Sequence, residues 1–132
     1  MNVVDSSGWL EYLADGPGAD FFAPALEDTD NLIVPQICML EVARVAYRER
    51  GEQDAIQSLA LMRQGQTAYF STDVMLLAAR LGKENKLPLA DSVVLATARL
   101  YGAVVWTQDS DFEGLEGVRY TPKKKQAAPP SA

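Results

Sequence analysis

Asn2-Val3-Val4-Asp5-Ser6-Ser7 is a short apolar run that ends in an acid and passes directly into two hydroxyl residues. Such a run reads as a buried strand. Ser6 and Ser7 are N-cap candidates for a helix carrying Trp9, Leu10 and Leu13 at helical spacing. Near the other end, Val104-Val105-Trp106-Thr107-Gln108-Asp109 repeats the design: an apolar strand, then polar residues, then an acid.

Between these stretches, strand and helix signals alternate. Gly16-Pro17-Gly18 interrupts the first helix, and residues 19–26 form a second short one. Residues 31–35 read as a second strand, followed by a helix over 37–50 with Ile37, Leu40, Val45 and Tyr47 near its apolar side. Gly51 ends that helix. A further helix covers 52–63 and a third strand 67–70. The next helix spans 73–81 and stops at Gly82, and Leu87-Pro88 opens another that runs to Tyr101. The fourth strand covers 103–106, a turn or short helix 109–115, and a fifth strand 118–120. Short apolar strands alternating with helices predict an α/β fold of three layers, a parallel sheet of four to five strands flanked by helices. Residues 1–120 make one domain. Residues 121–132, with Lys123-Lys124-Lys125 and then Gln, Ala, Pro and Ser, read as a disordered tail.

Bulk properties narrow the chemistry. A chain of 132 residues accommodates one core. Histidine is absent, which removes Ser-His-Asp and Cys-His triads and His-ligated zinc. The one cysteine, Cys38, lies in an apolar run and reads as a buried small hydrophobe; with no window apolar enough to span a membrane, a cytoplasmic location is expected. The formal net charge of −6 makes non-specific attraction to nucleic acid weak, so RNA would have to be held by local basic groups and bound cations.

Four acids stand at telling places. Ligand sites in parallel α/β sheets form at the carboxyl ends of strands, which puts Asp5 and Asp109 on one rim. Glu41 lies four residues from both Ile37 and Val45, and Asp91 three, four and seven residues before Val94, Leu95 and Ala98, so both carboxylates share faces with apolar residues. Charges so placed need compensation, and converging carboxylates suit Mg²⁺ or Mn²⁺. Each acid also has an ordinary reading. Asp5 can cap a helix, Glu41 can pair with Arg44 or Arg48, Asp91 can complement a helix dipole, and Asp109 and Asp111 can simply occupy a polar turn.

The four segments together resemble the motifs of PIN domains, and among those the VapC toxins. Asn2-Val3-Val4-Asp5-Ser6-Ser7 is similar to the opening motif and Leu40-Glu41-Val42 to the second. Leu89-Ala90-Asp91-Ser92-Val93-Val94-Leu95-Ala96-Thr97-Ala98 is similar to the third, and Thr107-Gln108-Asp109-Ser110-Asp111-Phe112 to the fourth. The resemblance implies a Mg²⁺- or Mn²⁺-dependent endoribonuclease that acts on structured cellular RNA, forms a homodimer, and is inhibited by a cognate antitoxin. It implies Asp5, Glu41, Asp91 and Asp109 as catalytic, metal-holding residues, with Asp111 an alternate for the fourth. Ser7 and Thr107 are expected to orient Asp5 and Asp109 by hydrogen bonds. Arg44 and Arg48, one and two turns beyond Glu41, are expected to contact RNA phosphates; Arg80, Lys83, Lys86, Arg99 and Lys123–Lys125 are further candidates.

Two other readings use the same residues. One is a PIN-like module that binds without catalysing. The other is a phospho-acceptor receiver domain, which would need paired acids after the first strand and an Asp after a middle strand; here the second strand ends in Pro35. Phe21, Phe22 and residues 59–62 are candidates for either a dimer face or the core.

Overall fold

In the computed structural model, which describes residues 1–125, five parallel strands form one sheet in the order β3-β2-β1-β4-β5. The strands are β1 (Asn2–Val4), β2 (Leu32–Pro35), β3 (Gln66–Ala68), β4 (Val104–Thr107) and β5 (Val118–Tyr120). Helices α1 (Ser6–Leu13) and α2 (Ala19–Glu27) join β1 to β2. Helices α3 (Gln36–Arg50) and α4 (Glu52–Met62) join β2 to β3, and α5 (Thr72–Asn85) and α6 (Leu89–Leu100) join β3 to β4. The helices flank the sheet to give the three-layer α/β architecture. Val3, Val4, Leu32, Ile33, Val34 and Val105 are buried, as strands covered on both faces require.

From β1 the chain winds outward through β2 and β3, then returns to the other side of β1 for β4 and β5. The order therefore reverses between β1 and β4. In open parallel sheets the crevice that takes ligands lies at such a switch point, outside the carboxyl ends of the strands. Asp5 follows β1 directly, and Asp109 stands two residues beyond β4.

Several local expectations are corrected. The cap of α1 is Asp5 itself, accepting the Gly8 N–H, rather than Ser6 or Ser7. The β3 strand ends at Ala68, because the Phe70 N–H turns to Gln36 Oε1 and Ser71 caps α5. Helix α5 passes through Gly82 to Asn85 and is closed by Lys86 at φ 54°. Gly82 is instead a packing position: a Cβ there would stand 3.2 Å from Ser92 Cβ on α6. Pro88 precedes α6 rather than lying in its first turn.

On α3 the buried residues are Cys38, Met39 and Val42, while Leu40 and Tyr47 are exposed. Phe22 and Met62 belong to the core and Phe21 and Leu59 pack against it, so most of that proposed dimer face is internal. The segment after 120 is partly held, since the Thr121 N–H donates to Thr107 O at 3.0 Å. Residues 126–132 of the expected tail lie outside the described residues.

Candidate metal centre

Asp5 is the best-held acid of the molecule. Its side chain is 3 % exposed. Oδ1 accepts the Ser7 hydroxyl at 2.8 Å and the Gly8 N–H at 3.0 Å; Oδ2 accepts the Thr107 hydroxyl at 2.6 Å. The register makes this geometry: Val4 pairs with Trp106, and the Asp5 N–H continues to Trp106 O, so Asp5 and Thr107 face one another across the switch point. Thr107 Oγ1 also accepts the Asp109 N–H at 2.9 Å. One hydroxyl thus fixes the Asp5 carboxylate and the backbone that presents Asp109. Burial pushes the Asp5 carboxyl up to about 6; hydrogen bonds from Thr107, Ser7 and Gly8 oppose that shift, and the Asp109 charge adds to it.

Asp91, Asp109 and Asp111 meet beside it. Oxygen atoms from these three carboxylates lie within 4.8 Å of one another. Asp91 projects from the first turn of α6, where Val94, Leu95 and Ala98 on its stripe are buried and anchor the helix. Asp109 caps the short 3-10 turn Ser110–Phe112, its Oδ1 accepting the Asp111 N–H at 2.9 Å, and Phe112 plugs that turn into the core. The Asp91 carboxyl is pushed up to about 7, first by burial, then by the charge of Asp109 and a hydrogen bond with it, then by Asp5 and Asp111. Like charges this close cannot all ionise without cost, and a divalent cation removes that cost.

Glu41 is not a member of this three-carboxylate group. It is half-buried on α3, as are Ile37 and Val45, so the face it shares with them is a boundary rather than core. The buried Cys38 thiol is pushed well above its ordinary value by burial and by the charges of Asp5, Glu41 and Asp91, against a hydrogen bond from the Ser6 backbone. The donors available at the crevice are carboxylate oxygens, with no imidazole in the chain, which fits a hard cation such as Mg²⁺ or Mn²⁺.

A neighbouring polar network was not foreseen from the sequence. Gln108 is buried at 8 % exposure, and its Nε2 lies 3.4 Å from both Ser7 O and Glu11 Oε2. Glu11 Oε1 accepts the Gly18 N–H at 2.8 Å. This links α1 and the start of α2 to the turn carrying Asp109. Its only sequence signal is the position of Gln108 between two site residues.

Of the basic candidates, Arg80 lies 3.9 Å from Glu84, and Arg99 donates to Glu116 O at 3.1 Å. Arg44 and Arg48 line a groove of about 710 Å³ that also includes Ser6 and Glu41.

Asp91, Asp109 and Asp111, gathered beside Asp5 at the carboxyl ends of a parallel sheet, define an α/β domain with an acidic site at its switch point. The family model for the PIN domain matches residues 3–118, and the chain belongs to that family. Among solved structures it is similar to a chain of a toxin–antitoxin complex from Klebsiella pneumoniae, with 27 % identity and a TM-score of 0.76 over 95 % of this chain and 100 % of that one. VapC20 of Mycobacterium tuberculosis, described as a sarcin-ricin loop cleaving toxin, shares the fold at 16 % identity and a TM-score of 0.71, covering 89 % of this chain and 97 % of that one. A chain of DNA-bound VapBC2 from Rickettsia felis does so at 10 % identity and 0.70, covering 92 % and 97 %. No curated protein gives a significant match. Membership of the PIN family answers the receiver-domain alternative. Among the described residues no helix is long and apolar enough to cross a membrane.

Proposed function

We propose that this protein is a Mg²⁺- or Mn²⁺-dependent endoribonuclease acting as the toxin of a type II toxin–antitoxin pair. The observation that carries the reading is the convergence of Asp91, Asp109 and Asp111 oxygens within 4.8 Å beside the buried Asp5. The toxin role is supported by the likeness to a chain of a toxin–antitoxin complex over nearly the whole length of both chains. The same likeness supports a cognate antitoxin as partner; the RNA substrate and pairing with a second copy of this chain follow from the resemblance of its motifs to those of VapC toxins.

A divalent ion bound there would supply an activated water near neutral pH and stabilise charge on the phosphate and the leaving oxygen. Asp91, Asp109 and Asp111 would hold it, with Asp5 and Glu41 completing the negative field. Ser7 and Thr107 keep the Asp5 carboxylate in one orientation, and Thr107 keeps the Asp109 turn closed. Arg44 and Arg48 would take phosphates next to the scissile one. Attack by water on phosphorus with departure of O3′ leaves a 5′-phosphate and a 3′-hydroxyl.

Two assays test this together. Purified protein should cleave RNA with Mg²⁺ or Mn²⁺ and stop when EDTA is added, and induced expression should arrest bacterial growth. Asp91→Asn, shown to fold by circular dichroism, should abolish both. A binding module that does not catalyse would leave growth arrest intact in Asp91→Asn and in Asp5→Ala, and that outcome would overturn the nuclease reading.

A further inference from the structure

Beside the carboxylates, along α3, runs the groove of about 710 Å³ whose walls include Ser6, Leu10, Glu41, Arg44, Tyr47 and Arg48. Ser6, which adjoins Asp5, and Glu41 line this end of the groove, so it opens beside the buried acid. With a rise of about 1.5 Å per residue, Arg44 stands about 4.5 Å, Tyr47 about 9 Å and Arg48 about 10.5 Å further along the helix axis. Tyr47 and Arg48 follow Arg44 at three and four residues, so both are its neighbours on the helix surface, one to each side.

The cations are available. Among the described residues Arg44 makes no ion pair, and Arg48 approaches only Glu49, at 3.8 Å with side chains 72 % and 59 % exposed, a contact worth little in water. Arg50 and Arg80, by contrast, each face an acid one turn on. In a chain of net charge −6, two uncompensated guanidiniums in one groove mark a place for an anion. Tyr47 is 61 % exposed, and the aromatic pairs among the described residues involve Phe21, Phe22 and Trp106 instead. Its ring lies exposed on the groove that the two cations also line.

We propose that this groove is a subsite for the single-stranded RNA flanking the scissile bond, with Tyr47 stacking one base while Arg44 and Arg48 hold neighbouring phosphates. The inference rests on the ribonuclease reading above. A single strand offers phosphates and splayed bases together, which two cations and an open ring on one groove can take; in a duplex the bases are paired and stacked away from such a ring. An aromatic platform of this kind is tolerant of sequence, because every base has a π-face.

Binding, rather than cleavage, tests it. In the full-length Asp91→Asn protein with Mn²⁺, anisotropy of fluorescein-labelled single-stranded RNA gives the affinity. A set of oligonucleotides, each lacking one base, locates the stacked position. Tyr47→Ala should weaken binding of the intact strand by about 5- to 100-fold, the range for loss of one base stack. Tyr47→Phe should bind as the parent does. One abasic position should weaken the parent and leave Tyr47→Ala unaffected, a pattern that loss of structure would not produce. Arg44→Ala should make the salt dependence shallower. If Tyr47→Ala binds as tightly as the parent, or if Tyr47→Phe loses as much as Tyr47→Ala, the subsite is refuted while the nuclease reading stands. Absence of RNA binding by a parent that binds Mn²⁺ would remove both.

Discussion

Asp5 and Asp91 belong to one crevice and are built in opposite ways. Asp5 is sealed from water but satisfied, with three donors converging on its two oxygens. Asp91 is half-buried, and its neighbours are Asp109, Asp111 and Asp5, acids rather than donors. Both carboxyls are pushed upward, yet for Asp5 burial is partly offset by hydrogen bonds, whereas for Asp91 like charges add to it. The contrast separates two tasks. The first side is a frame that the protein completes by itself; the second is left short of positive charge and calls for a cation.

That comparison predicts its largest effect at Asp91. Asp91→Asn should lower RNA cleavage by on the order of 10⁴-fold or more, the scale on which removal of one catalytic member acts. In EDTA the same variant should melt above the wild type, because a repelling charge has gone; with Asp91 half-exposed, the gain should stay within about 1 kcal/mol. Thr107→Val probes the framed side and should behave oppositely. It strips a donor from a buried carboxylate, so stability should fall by about 1–3 kcal/mol with or without metal. Cleavage should fall about 10- to 100-fold, as when a ligand loses its orienting partner.

The next effect is a pH dependence. Asp5 and Asp91 hold protons more tightly folded than unfolded, with values of about 6 and about 7 against an ordinary 3.8. The folded state therefore binds more protons across that window. The stability these two groups contribute in metal-free protein should be full below about pH 4, fall by at least about 2 kcal/mol as pH rises through about 6 and 7, and level off near pH 8. Thermal melts in EDTA measure this, and in the Asp5→Asn, Asp91→Asn double variant the slope should flatten. Excess Mn²⁺ should reverse the slope, because cation binding displaces protons. The smallest effect is expected at Asp111, the most exposed of the cluster. Asp111→Asn should weaken Mn²⁺ binding by less than about 10-fold, with Asp109→Asn clearly worse, since Asp109 also caps the turn that presents Asp111.

The sequence carried the fold because β1, β2 and β4 are apolar runs bounded by Gly, Pro or polar residues, and the rim placement of Asp5 and Asp109 follows from parallel topology. The orientation of α3 was less legible. Ile37, Leu40, Val45 and Tyr47 are as apolar as Cys38, Met39 and Val42, and helical spacing cannot choose between two apolar stripes. The charges could have: Glu41, Arg44 and Arg48 recur at three and four residues, and the buried Cys38–Met39–Val42 stripe lies away from them. Gly82 misled because a glycine that ends a helix and one that lets α6 approach look alike in one sequence. The inclusion of Asp111 beside Asp91 and Asp109 depends on a tight 3-10 turn, which spacing alone does not reveal.

The central claim is that a divalent cation sits among Asp91, Asp109 and Asp111. Crystals grown with Mn²⁺ and measured at its absorption edge would locate it directly. An anomalous peak within about 2.0–2.3 Å of Asp91 and of Asp109 or Asp111 oxygens is the predicted result. A map with Mn²⁺ at full occupancy elsewhere and none at these carboxylates would contradict it.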